Sequence, residues 1–174
     1  MLSFILFADD SNLFFSHSNL NYLVNTVNEE LKLVANWFTV NKLSLNITKT
    51  NYMLFSNTVS DLPCPVKING FIITKTDCLK FLGLFVDRGL TWNSHVDSMC
   101  KVISRNIGVI NRIKHFLPEV VLHSLYITLI GTYLHYGILA WGASSATNLD
   151  RLLILQKRAL RIISFADFNP NADP

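Results

Sequence analysis

The fold is indicated first by residues 3–16, which read SFILFADDSNLFFS. Two short runs rich in Phe, Ile and Leu flank Asp9, Asp10 and Ser11, and polar residues between apolar runs are typical of a turn between strands. The stretch therefore predicts a β-hairpin with strands at residues 3–8 and 12–16 and two acids at its tip.

A helix is predicted directly after this hairpin, from residue 19 to about residue 38. Its apolar residues recur at helical spacing, and polar residues occupy the opposite face, so the helix is expected to pack against a core. The apolar positions are Leu20, Leu23, Val24, Val27, Leu31, Val34, Trp37 and Phe38.

Short antiparallel strands are predicted next. Residues 52–55 form one candidate strand, and residues 80–86 form another. Between them, Asn69-Gly70 separates two apolar pairs and gives a strong hairpin signal, because both turn positions need positive φ.

The pattern changes from strands to helices after Gly89. Helices are predicted at about residues 93–114, 118–136 and 148–163, with an interruption near Gly137. The fold class is therefore α+β, with a mixed region at residues 1–90 and an all-α region of about three helices at residues 91–174.

Basic residues lie on one face of the first and third of these helices, opposite apolar residues such as Leu152, Leu153, Leu160 and Ile163 in the third. Such faces are most often solvated surface, and the formal charge of +3 only weakly favours an anionic partner. The basic positions are Lys101, Arg105 and Arg112 in the first helix, and Arg151, Lys157, Arg158 and Arg161 in the third.

Composition limits the class of protein. Of 174 residues, 50% are hydrophobic and 16% are charged, which is typical of a folded chain. The cysteines number three and are widely spaced, which favours a reducing, intracellular setting with no disulfide-linked partner. Residues 120–141 are apolar but contain two histidines and two glycines, so we expect a buried helix and no membrane span.

Adjacent carboxylates on a hairpin can hold a hard cation, since Mg²⁺ prefers oxygen ligands. Asp9-Asp10 alone is weak support for such a site, because paired acids in turns are common.

His95, His123 and His135 lack the spacing of metal ligands and are expected to be structural. Trp141 is expected in the core, and on composition Phe7 is also more often core than ligand-contacting.

An ordered series of motifs resembles the reverse transcriptases (RNA-directed DNA polymerases) of non-LTR retrotransposons, of the jockey-like LINE type. The resemblance covers about residues 1–165 and implies the C-terminal part of a polymerase palm followed by a thumb. The motifs are Phe7-Ala8-Asp9-Asp10, Leu43-Ser44-Leu45-Asn46 with Lys49-Thr50, Phe81-Leu82-Gly83 with Trp92 and His95, Tyr133 and Tyr136-Gly137 with Trp141, and Leu155-Gln156-Lys157-Arg158-Ala159 with Arg161.

This resemblance implies roles near the polymerising centre. Asp9 and Asp10 would be catalytic metal ligands, two Mg²⁺ ions being bound in the complete enzyme. Phe7 and Ala8 would lie at the incoming deoxynucleotide. Lys49 would sit near the triphosphate as a candidate general acid, although an ordinary strand-edge lysine is an equally good interpretation.

The resemblance also implies nucleic-acid contacts. Phe81, Leu82 and Gly83 would form a primer grip, and the basic helix faces would follow phosphates of the RNA template and DNA primer. The family takes a further catalytic aspartate and the fingers from a region before the hairpin. We therefore expect this chain to be inactive alone, and a non-catalytic nucleic-acid-binding module is the alternative function.

Overall fold

A computed structural model of the chain describes residues 2–8, 10–56 and 62–165, without the side chain of Leu2. It combines helices with small sheets, as the α+β class predicts. The chain divides into two compact units, residues 1–77 (the N-terminal unit) and residues 78–174 (the C-terminal unit). The division falls after Asp77 and not near residue 90, because the strands at residues 78–87 pack with the helices that follow them.

The N-terminal unit begins with the predicted hairpin. Strand β1 (Leu2–Phe7) pairs antiparallel with β2 (Asp10–Phe15), and Phe7 lies opposite Asp10. Phe4 and Leu6 are each 65% exposed, because this sheet has two strands and its face is not covered by the described residues. The hairpin presents an apolar surface together with the exposed Asp10.

Helix α1 (Leu20–Val40) follows, and its first turn is capped by Asn19, whose side chain accepts a hydrogen bond from the Tyr22 amide at 3.0 Å. Its apolar face packs on the strands that come later in the unit. Trp37, predicted on the packed face, is instead 57% exposed, because it lies on the other side of α1 from Ala35, which belongs to the buried stripe. The buried residues of this core are Val24, Leu31, Ala35, Val66, Ile68 and Ile73.

The remaining strands of the N-terminal unit contain two residues each. They are β3 (Asn51–Tyr52), β4 (Lys67–Ile68), β5 (Phe71–Ile72) and β6 (Thr74–Lys75). The Asn69-Gly70 hairpin is confirmed, with φ of 50° and 82°. The prediction of antiparallel pairing throughout was wrong, since β3 and β6 are parallel, and the strand predicted at residues 52–55 is reduced to β3.

The C-terminal unit begins with a hairpin where one strand was predicted. Strand β7 (Cys78–Phe81) pairs antiparallel with β8 (Leu84–Asp87). Leu82 and Gly83 form the turn between them, with φ of 44° and 83°. Positive φ at both central positions matches the twist of a tight hairpin.

The helices are α2 (Asn93–Ile113), α3 (Glu119–Tyr126), α4 (Thr132–His135), α5 (Ile138–Trp141) and α6 (Ala146–Ile163). A π-helical turn, Ile127–Gly131, joins α3 to α4, so the predicted second helix is continuous but locally widened. The predicted break is confirmed at Gly137, whose φ is 65°. Among the described residues, no helix is long and apolar enough to cross a membrane.

One core unites these helices. It includes Ile103, Ile107 and Ile110 of α2, each at most 2% exposed, packed against α3, α6 and the π-helical turn. Burying such a side chain contributes about 1.5–3 kcal/mol. This core gives the C-terminal unit a rigid base for the β7–β8 hairpin, which contacts α2 through β8.

Candidate nucleic-acid and metal site

The acidic hairpin is described on both sides of Asp9, which itself lies outside the described residues. Ala8 adopts φ of 52°, as expected for a turn position. Phe7 is 59% exposed, so it is not a core residue in this structure. Asp10 is exposed at the first position of β2, where its carboxylate is open to solvent or a ligand.

The donor type at this hairpin suits a hard cation, because the exposed Asp10 carboxylate offers the oxygen that Mg²⁺ prefers. Within the described ranges, no group of three His, Cys, Asp or Glu side chains is placed to hold a metal ion. Asp10 therefore fits Mg²⁺ by the kind of donor that it supplies.

Lys49 ends a single 3₁₀ turn, Ile47–Lys49, directly before β3. Asn46 organises this turn: its Oδ1 accepts hydrogen bonds from the Lys49 amide at 3.3 Å and from the Thr48 hydroxyl at 2.7 Å. The Lys49 side chain is exposed. A turn, and not a strand edge, thus fixes its backbone.

The Phe81-Leu82-Gly83 turn is in direct contact with Tyr136 and Gly137. The Tyr136 hydroxyl donates a hydrogen bond to the Leu82 carbonyl oxygen at 2.7 Å. A Cβ on Gly83 would lie 3.2 Å from Tyr136 Cε1, so the tyrosine ring sits against the turn. Two motifs separated by more than 50 residues form one structural feature.

Trp141 supports this contact from the core. It is 3% exposed, as predicted, and its Nε1 donates to the Tyr136 carbonyl oxygen at 2.8 Å. His95 is also buried, beside Trp92 and Trp141, and its Nδ1 accepts from the Phe85 amide at 3.4 Å. The expectation that His95 is structural agrees with this position.

Asn148 is a buried polar residue that the sequence analysis missed. Its amide nitrogen donates to the Thr91 carbonyl oxygen at 3.3 Å and to Asn93 Oδ1 at 2.8 Å, which ties α6 to the start of α2. An asparagine within the apolar stripe of an amphipathic helix was the available signal, because a buried amide needs partners.

The basic residues of α2 lie opposite its buried face. Lys101, Arg105 and Arg112 are exposed, whereas Ile103 and Ile107 are buried. None of these cations forms an ion pair within the described part of the chain. We call Lys101, Arg105 and Arg112 the α2 basic face; it leaves three positive charges open to an anionic partner.

The basic residues of α6 are less uniform than predicted. Arg151 pairs with Asp97 of α2 at 2.6 Å, so its charge is already partly neutralised. Arg158 is exposed, while Lys157 and Arg161 are half-buried. Leu153 and Leu160, which the sequence analysis placed opposite the basic residues, are exposed, because α6 buries the narrower stripe of Asn148, Leu152, Ala159 and Ile163.

Comparison with curated proteins finds relatives among transposon polymerases. Over 163 residues, the chain is 27% identical to the "Probable RNA-directed DNA polymerase from transposon BS" of Drosophila melanogaster and 27% identical to the "RNA-directed DNA polymerase from mobile element jockey" of Drosophila funebris. The jockey polymerase of Drosophila melanogaster is 23% identical. These matches cover 91–92% of this chain and 18% of each relative.

No protein-family model and no solved structure matches the chain. The chain spans about a fifth of the length of the relatives. All three relatives are nevertheless named as RNA-directed DNA polymerases of transposons or mobile elements, the class that the motif series resembles. The resemblance to the reverse transcriptases of jockey-like non-LTR elements is therefore confirmed, and the chain is similar to one segment of them.

Proposed function

We propose that the chain is the segment of a jockey-type RNA-directed DNA polymerase that carries the metal hairpin, the primer grip and the thumb. The observation that carries this proposal is the similarity over 91–92% of the chain to three such polymerases. In the full polymerase, this segment would hold the RNA template and DNA primer beside the site of nucleotide addition.

The hairpin would serve the incoming nucleotide. Asp9 and Asp10 would hold Mg²⁺, which when bound supplies charge stabilisation for phosphoryl transfer. Phe7, exposed beside Asp10, would contact the sugar, and Ala8 would lie in the same turn. Lys49 would face the triphosphate, where an ammonium can stabilise negative charge and deliver a proton to the leaving group.

The C-terminal unit would hold the duplex. The Leu82-Gly83 turn offers apolar and backbone contact to the primer end, and the α2 basic face offers cations to the phosphates. Arg158 of α6 would add to this surface. Lys157 and Arg161 would contribute less because they are half-buried, and Arg151 less because it is paired with Asp97. Such contacts position a duplex without reading its sequence.

Charge reversal on α2 tests the proposal. We expect Lys101→Glu/Arg105→Glu to weaken binding to a DNA-primed RNA template and to lower the salt dependence of log K by about 2, one for each lost phosphate contact. Fluorescence anisotropy over a salt series measures both quantities.

The matched control is Lys42→Glu/Lys75→Glu, which changes the net charge by the same amount at exposed lysines of the N-terminal unit. Equal weakening by the two double variants would show that only net charge matters and would contradict a role for α2. Circular dichroism of each variant establishes that it is folded.

A non-catalytic nucleic-acid-binding module is the second candidate, favoured by the open cations of the α2 basic face. Primer extension with Mg²⁺ tests whether the chain is catalytic by itself. We expect no extension by the 174-residue chain, because a two-metal centre needs more carboxylates than this hairpin offers. Extension clearly above an Asp9→Ala control would refute this expectation.

A further inference from the structure

We infer that Tyr136 is a positioning residue for the primer-grip turn, and that its hydroxyl sets how the Leu82-Gly83 turn meets the end of a primer. The inference rests on the proposed function, since it concerns the same turn. The observation that carries it is the 2.7 Å hydrogen bond from the Tyr136 hydroxyl to the Leu82 carbonyl oxygen.

The turn needs such support because of its backbone. Leu82 adopts φ of 44°, a conformation that residues with a Cβ rarely take, and a neighbouring structure must maintain it. The Tyr136 hydrogen bond engages the carbonyl of this strained residue. The tyrosine ring also lies against Gly83, where an added Cβ would approach Tyr136 Cε1 to 3.2 Å and the φ of 83° favours glycine.

A second contact fixes the same hairpin from the next residue. Gly137 lies so close to Leu84, the first residue of β8, that a Cβ on Gly137 would approach the leucine methyl carbons to 2.8 and 2.9 Å. Gly137 itself needs its φ of 65°, which glycine adopts without strain. Tyr136 and Gly137 therefore hold both the turn and the strand that leaves it.

The support is anchored in the core. Trp141, 3% exposed, donates to the Tyr136 carbonyl oxygen and fixes the backbone of the residue whose hydroxyl holds the turn. Leu82 itself remains 36% exposed. Tyr136, itself fixed by the core, thus supports the turn, while Leu82 at the tip of the turn stays open to a ligand.

Comparing a recessed primer end with blunt duplex separates the positioning of the primer end from general binding of a duplex. Blunt duplex would use the phosphate contacts of the α2 basic face alone, whereas a recessed DNA 3′ end on an RNA template would also meet the turn. We expect wild-type protein to prefer the recessed end, and Tyr136→Phe to reduce that preference about fivefold, the value of one neutral hydrogen bond. We expect the affinity of Tyr136→Phe for blunt duplex to stay unchanged, whereas a general loss of protein stability would lower that affinity as well.

Tyr133→Phe is the matched control, because it removes the hydroxyl of another exposed tyrosine on the neighbouring helix α4. It is expected to keep the full preference. If wild type prefers the recessed end and Tyr136→Phe retains that preference, the inference is wrong and the proposed function stands. If wild type shows no duplex binding at all, both fail together.

Hydrogen exchange of wild-type protein gives a readout that needs no variant. The recessed-end complex should protect the amides of residues 82–84, and the blunt complex should not. Equal protection in both complexes would overturn the inference even if Tyr136→Phe failed to fold.

Discussion

His95 shows how one buried side chain links the hairpin to the helices of the C-terminal unit. The rings of Trp92 and Trp141 lie 6.4 and 6.2 Å from it between centroids. Because Nδ1 accepts from the Phe85 amide, the neutral ring carries its proton on Nε2, which is buried and has no hydrogen-bond partner among the described residues. Desolvation by burial lowers the pKa of His95 below its usual value.

This lowered pKa predicts a pH dependence of stability. Below about pH 6.5, the ordinary pKa of histidine, the unfolded chain binds a proton at His95 that the folded chain does not. The free energy of unfolding should therefore fall as the pH decreases from about 6.5 towards the lower folded pKa. Protonation of Nδ1 would also remove the acceptor for Phe85.

Urea unfolding between about pH 5 and 8 measures this effect, with His95→Asn as the comparison. Asparagine keeps an acceptor oxygen near the Nδ1 position and does not titrate, while the other histidines are unchanged. The wild type should lose stability more steeply than the variant on acidification. Parallel pH profiles would contradict the assignment.

At the scale of elements, periodicity predicted the long helices well, because α1, α2 and α6 each bury one regular apolar stripe. The short strands were predicted less accurately. Residues 80–86 read as one apolar strand because Leu82 is not a typical turn residue, and Gly83 was the sole local signal of the β7–β8 turn. Tertiary support from Tyr136 explains why leucine is tolerated there.

The candidate site was predictable in part. The motif series singled out Phe7, Asp10 and Leu82, and helical spacing placed the basic residues of α2 on one face. The series did not reveal that Tyr136 touches Leu82, because that contact depends on how α4 and α5 pack beside a hairpin far away in sequence. Nor did helical spacing indicate that Arg151 is paired with Asp97 of α2.

At the scale of the whole molecule, net charge is a poor guide to function. A formal charge of +3 is small, but the α2 basic face concentrates three cations on one exposed side of a single helix. Binding should therefore depend on where the charges lie and not on their sum.

The most direct test of the account locates the primer end on the protein. A DNA primer with 4-thiothymidine at its 3′ terminus, annealed to an RNA template, is irradiated with the protein, and crosslinked peptides are identified by mass spectrometry. We predict crosslinks within residues 78–87 that unlabelled primer-template competes away. Crosslinks confined to other segments, or insensitive to the competitor, would contradict the account.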